Sequence, residues 1–364
     1  MGEFTIKIVN DSGDADQLYL LLTVSGTNIG FDGGGILKVG EAVTVADFFS
    51  GVASHSFSAE VLDGCRLYVG YGEMQPSPAP DPNSNQFYGW IEFSKTSESD
   101  GLWINLSNVD ILGMPLALDG TLAAGGSFSL GYKKSQQDIV AELEAQALTS
   151  NNPAVVKDCG GGKTKIVAPN IQFPFYRSYQ PYLDAMTAAT AKLTIHTDTP
   201  IGAPAKVFKG SFLQAASESD PIISLTSGTD TFEILKSQFD TEYLYRCDGG
   251  TTIYNGQTVN MNRNDDGGHN ADVVYTNSLF RNLCVGINEG YFTPTGENDS
   301  SKFSSDTPFT DGRGNVYAKI IHETSNSYGF PYADGNLKTL IEAGGDSTVT
   351  MTIMTDTEAG HYQS

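Results

Sequence analysis

From residue 4 to about 133 the chain runs in short apolar–polar alternations separated by turn clusters. "FTIKIVN", "QLYLLLTVSG", "ILKVG", "SFSAEVL", "CRLYVGYG", "FYGWIEFS", "LWINLSNVDI" and "GSFSLGYK" are rich in β-branched and aromatic residues. Gly, Asp, Asn and Pro bound them, as they bound strands with one buried face. The Pro-rich "MQPSPAPDPNSNQ" (74–86) falls outside any sheet, because proline cannot donate to a ladder. Many short strands at this spacing predict a sandwich or barrel.

The period changes at residue 134. In "SQQDIVAELEAQAL" the residues Ile139, Val140, Leu143 and Ala147 recur at helical spacing, and Ser135 with Asp138 resembles a capping box. "SYQPYLDAMTAATAKL" has Pro181 near a first-turn position, with Tyr182, Ala185, Met186 and Ala189 along one face. "SLFRNLCVGINEGYF" aligns Leu279, Leu283 and Ile287. Strand-like "KLTIHTD" and "TFEILKS" lie between these helices. After about residue 305, "VYAKIIHET", "NSYGFPY" and "STVTMTIMT" read as strands again. The pattern predicts a β-rich α+β chain: a β domain (1–133 plus 305–364) interrupted by a mixed α/β domain (134–304).

Charge narrows the partners. Asp and Glu number 43 against 21 Lys and Arg among 364 residues, a formal net of −22. Such a surface repels nucleic acid and anionic membranes and tolerates neutral polymers such as polysaccharides. No segment approaches the ~20 apolar residues of a membrane span. The opening runs directly into a strand pattern and is not a signal peptide. Cys65, Cys159, Cys247 and Cys284 are widely spaced with no CxxC pair, which argues against zinc. They form up to two disulfides, in one of three pairings, or stay as thiols.

Several motifs fail on inspection. "CGGGKTK" (159–165) has Lys157 where a phosphate loop needs glycine. In "NRNDDGGHNADV", Asn262, Asn264, Asp266 and Gly267 sit like a calcium loop, but Val273 stands in place of the bidentate Glu. His322-Glu323 lacks the second His of a zinc-protease helix. No metal or cofactor is expected.

Two carboxylates remain. Alternation in "GWIEFS" puts Trp90, Glu92 and Ser94 on one face and Ile91 and Phe93 on the other. In "LWINLSNVDILGMPL", Trp103, Asn105 and Ser107 share a face opposite Ile104 and Leu106. A bulge would break that register before Asp110. By alternation alone, Glu92 and Asp110 are solvated acids on the wet side of a sheet.

"WIEFS" followed by "INLSNVDILGMPL" resembles the Glu-Phe-Thr and Ser-x-Val-Asp-x-x-x-x-Pro signatures of thaumatin-like proteins, and in particular the β-1,3-glucanases of glycoside hydrolase family 64. "FTIKIVN", "CRLYVGYG", "FPFYRSYQPYLDAM" and "SNSYGFPYADGN" resemble further family segments in the same order. The resemblance implies a thaumatin-like β-barrel or sandwich and an inserted α/β domain, flanking a wide acidic groove. It implies a secreted, monomeric, inverting endo-hydrolase of β-1,3-glucan (laminarin, curdlan or fungal cell wall) that releases short laminari-oligosaccharides.

Carried over, Glu92 would be the general acid and Asp110 the general base, roughly 6.5–9.5 Å apart to admit a water. Ser94 and Ser107 stand where the family has Thr. Trp103 matches a Trp lining the sugar subsites, its other reading being a core aromatic. Arg66, Tyr328, Tyr332 and Asp334 are further groove candidates, with Arg66 and Asp334 also readable as surface or paired charges. The family's Tyr-Asp-Asp here reads Tyr332-Ala333-Asp334, one carboxylate short. The alternative is a non-catalytic, glucan-binding antifungal protein; a structural protein without an acidic groove is a third.

Overall fold

The computed structural model describes residues 2–50, 54–75, 80–150, 152–248, 250–260, 270–303, 309, 312–332 and 339–362. The chain is β-rich, with four sheets and seven α-helices among these residues. It divides into two compact units: 1–175 with 320–329 and 338–364, and 176–319 with 330–337. The helix Gln136–Gln146, whose spacing grouped it with the middle domain, thus belongs with the first unit.

The first unit is built on two large sheets. One orders the strands Ser127–Leu130, Leu116–Thr121, Thr348–Ile353, Phe4–Asn10 and Ser54–Ala59. The other runs Ser327–Tyr328, Leu102–Ser107, Tyr88–Lys95, Val61–Tyr71, Leu18–Val24 and Ala42–Thr44. They pack face to face through the side of the Glu92 strand that alternation marked as core. Phe93 meets Phe4 and Phe57, each with ring centroids 6.1 Å apart, and Ile91 is fully buried. Burying each such side chain contributes roughly 1.5–3 kcal/mol. Lys95, at the end of the same face, has no exposed surface; its ammonium donates to the carbonyls of Gly2 and Gly345. The opposite face is therefore left for the site.

The second unit carries a seven-stranded sheet from Lys192–His196 to Gln257–Asn260, antiparallel except where Lys192–His196 pairs with Asn298–Asp299. The helix Ala271–Asn288, capped by Asn270 through the N–H of Asp272, buries Leu279, Leu283, Cys284 and Ile287 as its spacing predicts. The helix Gln180–Ala188 buries Tyr182, Leu183 and Met186; Ala185 and Ala189 are exposed.

Two local expectations change, and one left open is settled. "VYAKIIHET" is a helix, Val316–Thr324, not a strand. Asn315 accepts the N–H of Ala318 at its start, and Tyr317, Ile320, Ile321 and Thr324 form a buried helical stripe. "ILKVG" contributes only an isolated bridge, Val39 to Leu22. All four cysteines are free thiols.

Candidate active site

The site is assembled from the first unit's second sheet by cross-strand register. Arg66 lies opposite Glu92, and Tyr68 opposite Trp90. On the other side Asn105 lies opposite Glu92, Ser107 opposite Trp90, and Trp103 opposite Ser94. Since residues directly opposite in an antiparallel pair project to one face, these side chains form one continuous floor. A groove of about 650 Å³ opens over it, lined among others by Arg66, Glu92, Ser94, Trp103 and Asn105.

Glu92 is held tightly. Arg66 Nη2 pairs with Glu92 Oε1 at 2.9 Å, and Trp90 Nε1 donates to the same oxygen at 3.1 Å. The guanidinium closes the triangle by lying 5.7 Å over the Trp90 ring. Trp90 itself is only 3% exposed, so it supports Glu92 from beneath. Burial works against the charge on Arg66, but Glu92, then Tyr68 and Asp110, outweigh it and lift its pKa above the ordinary value. Burial raises the Tyr68 phenol, with Arg66 opposing and Glu92 and Asp110 adding to the rise.

Asp110 reaches this group by another route. The strand ends at Ser107, and the chain bends before Ile111–Leu112. Asn108 anchors the bend: its N–H bonds to the Tyr328 carbonyl at 2.9 Å and its amide nitrogen to Ser327 Oγ at 2.6 Å. Asp110 then adds to the rise in the Tyr88 phenol, second to burial, and acts on Tyr68 and Arg66 as well. Asn170 Nδ2 donates to Asp110 Oδ1 at 2.7 Å.

The other expected residues fall in different places. Ser94 lines the groove, but its hydroxyl donates to Asp63 Oδ1 at 2.6 Å. Trp103 is 42% exposed within an otherwise buried strand, so it is not a core aromatic. Ser107 is buried, and its hydroxyl meets no protein partner. Tyr328 pairs through its backbone with Ser107 and is 9% exposed. Tyr332 lies in the second unit. Asp334 and the calcium-like residues Asn262, Asn264, Asp266 and Gly267 lie outside the described residues. Among the described residues no cluster of His, Cys, Asp and Glu is able to hold a metal, and no helix is long and apolar enough to cross a membrane.

Sequence reasoning did not single out Tyr68, Asn105 or Asn170. Alternation in "CRLYVGYG" places Tyr68 beside Arg66, and alternation in "LWINLS" places Asn105 between Trp103 and Ser107. Nothing in the local pattern points to Asn170.

Comparison with known proteins bears on the family and the fold. A family model described as β-1,3-glucanase, glycoside hydrolase family 64, matches residues 58–353. Among solved structures, a laminaripentaose-producing β-1,3-glucanase in complex with laminaritetraose aligns at 17% identity over 98% of this chain and 99% of that one, with a TM-score of 0.61. A β-1,3-glucanase domain from Clostridium beijerinckii aligns at 15% identity over 97% and 98%, with a TM-score of 0.59. Comparison with curated proteins gave no match. The structures share the fold, and the family match covers most of the chain: this protein belongs to the β-1,3-glucanases of glycoside hydrolase family 64.

Proposed function

We propose that the chain is an endo-acting, inverting hydrolase that cuts long β-1,3-glucan into short laminari-oligosaccharides, with Glu92 as general acid and Asp110 as general base. The observation that carries the reading is that both carboxylates act on one Arg66–Tyr68 pair beside an open groove. In an inverting reaction Glu92 gives its proton to the departing glycosidic oxygen. Asp110 takes a proton from a water attacking the anomeric carbon on the opposite face. Glu92 must hold its proton with Arg66 only 2.9 Å away, so the ion pair has to open as the glucan enters.

Trp103 offers its indole face to a pyranose ring, and Asn105 and Ser94, which line the groove, offer polar atoms to its hydroxyls; Ser107 stands in the proposed set on the family resemblance. Arg66, Tyr328, Tyr332 and Asp334 complete the proposed glucan-binding set. The same reading takes the first unit as a thaumatin-like barrel and the protein as a secreted monomer.

Laminarin and curdlan digests, with products separated by size and the anomeric configuration of fresh product followed by NMR, test the reading. Glu92→Gln and Asp110→Asn should each lower kcat by roughly 10²–10⁴ while glucan binding persists. Retained product configuration, or full activity in either variant, would sink the mechanism. Binding without cleavage by the wild type would point instead to a glucan-binding protein.

A further inference from the structure

Asn170 bears on Asp110 in a way the family resemblance does not include. Its position is set by backbone pairing: Ile166 pairs with Leu112 and Val167 with Ile111, and the Ala168 N–H bonds to the Asp110 carbonyl at 2.9 Å. The short helix Pro169–Gln172 then places Asn170 beside the acid. Only the nitrogen end of its amide is able to donate to a carboxylate, so the 2.7 Å bond from Nδ2 to Asp110 Oδ1 fixes the orientation of the group. Oδ1 therefore sits at the other end, buried, and accepts no hydrogen bond from any protein group. Buried carbonyl oxygens are nearly always hydrogen-bonded. Here the acceptor is left unpaired and closed to solvent, and the nitrogen end stays on Asp110.

We propose that Asn170 is a positioning residue for Asp110: its Nδ2 holds one carboxylate oxygen, so that the group is aimed at the hydrolytic water whose proton Asp110 removes. The proposal rests on the reading of Asp110 as base. In the step, the water oxygen bonds to the anomeric carbon as the glycosidic C–O bond breaks. Glu92 delivers its proton to the leaving oxygen, and Asp110 receives one water proton. The second water proton remains on the hydroxyl of the product.

The test uses the full chain on laminarin, with Glu92→Gln and Asp110→Asn as reference variants. Asn170→Ala should lower kcat roughly 10- to 100-fold, the size of one charge-assisted hydrogen bond, with KM within about twofold. Asn170→Ser, which keeps a small donor and acceptor, should recover part of kcat, and it separates positioning from a folding defect in the alanine variant. If Glu92→Gln or Asp110→Asn stays active, the reading of the acid and base fails, whatever Asn170 does. If both are inactive while Asn170→Ala keeps wild-type kcat, or raises KM as much as it lowers kcat, the proposal for Asn170 alone is overturned.

Discussion

Replacing Trp103 by alanine should weaken glucan binding while leaving the fold nearly intact. Truncating a buried tryptophan costs roughly 3–5 kcal/mol, yet Trp103 is 42% exposed and lines the groove. Of the ~250 Å² that an indole side chain offers, on the order of 100 Å² faces outward and contributes nothing to folding. Covering that surface with a pyranose is worth at most about 2.5 kcal/mol at ~25 cal/mol/Å². Imperfect contact lowers this to about 1–2 kcal/mol, or roughly 5- to 30-fold in KM. On the same basis the inward ~150 Å² supports the fold by at most about 3.5 kcal/mol, lowered to about 2–3 kcal/mol by burial already present in the unfolded chain, a Tm decrease of roughly 5 °C. Initial rates across a laminarin series, with a thermal scan of the same preparation, measure both. An unchanged KM with a Tm decrease of about 10 °C or more would show that the indole serves the core and refute the argument.

Two further predictions use groups whose burial is at odds with their chemistry. Asn105 is 5% exposed, and its carbonyl oxygen has no protein partner. Asn105→Ala should therefore leave Tm unchanged or raise it, by up to about 1 kcal/mol of stability, while kcat/KM falls; a clear loss of Tm would make the residue structural. Lys165 is fully buried, donates to the Gln86 carbonyl at 2.9 Å and lies 4.7 Å over the Tyr88 ring. Burial lowers its pKa from 10.5 to about 8. Because the folded protein sheds this proton before the unfolded chain does, the contribution of Lys165 to stability rises with pH from about 8 to 10.5. It is lost again as pH falls back through 8. Lys165→Met removes that dependence, so the stability of the wild type relative to the variant should rise between pH 7 and 9.5 by on the order of 2 kcal/mol. Parallel curves across that range in urea titrations would contradict the assignment.

Alternation made the floor of the site legible. In "GWIEFS" it separated Glu92 and Ser94 from Ile91 and Phe93, and the packing of Phe93 on Phe4 and Phe57 shows why: one face closes a sandwich. It also put Asn105 on the face with Trp103, though no pattern says that an amide oxygen will stay unpartnered. The helix Val316–Thr324 was misread because its Val and Ile residues suit a strand equally well, and the Asn315 cap lies before the quoted run. Asn170 was out of reach, since its link to Asp110 depends on a ladder between Ile111–Leu112 and Thr164–Val167, segments that no period relates. The cysteine count left disulfides open, and only the placement of the four side chains settles them as thiols.

In the proposed mechanism, the separation of acid and base is set by backbone packing more than by the side chains themselves. Glu92 lies within the ladder, whereas Asp110 lies on a segment that leaves it. The chain does this after Ser107. The departing segment returns against the Glu92 strand itself: the Met114 N–H bonds to the Tyr88 carbonyl at 3.0 Å. A Cβ on Gly113 would stand 2.0 Å from the Tyr88 carbonyl oxygen, and one on Gly89 would stand 2.3 Å from that of Met114. Both contacts are closer than any side chain tolerates, so glycine at these two positions lets the backbones touch. Glu92 is then fixed by its ladder partners, Arg66 and Asn105, and Asp110 by the bend at Asn108, by this glycine contact and by Asn170. Each carboxylate is held by its own set of backbone contacts within one unit. In the proposed mechanism, a glucan entering the groove therefore opens the Arg66 ion pair without displacing Asp110.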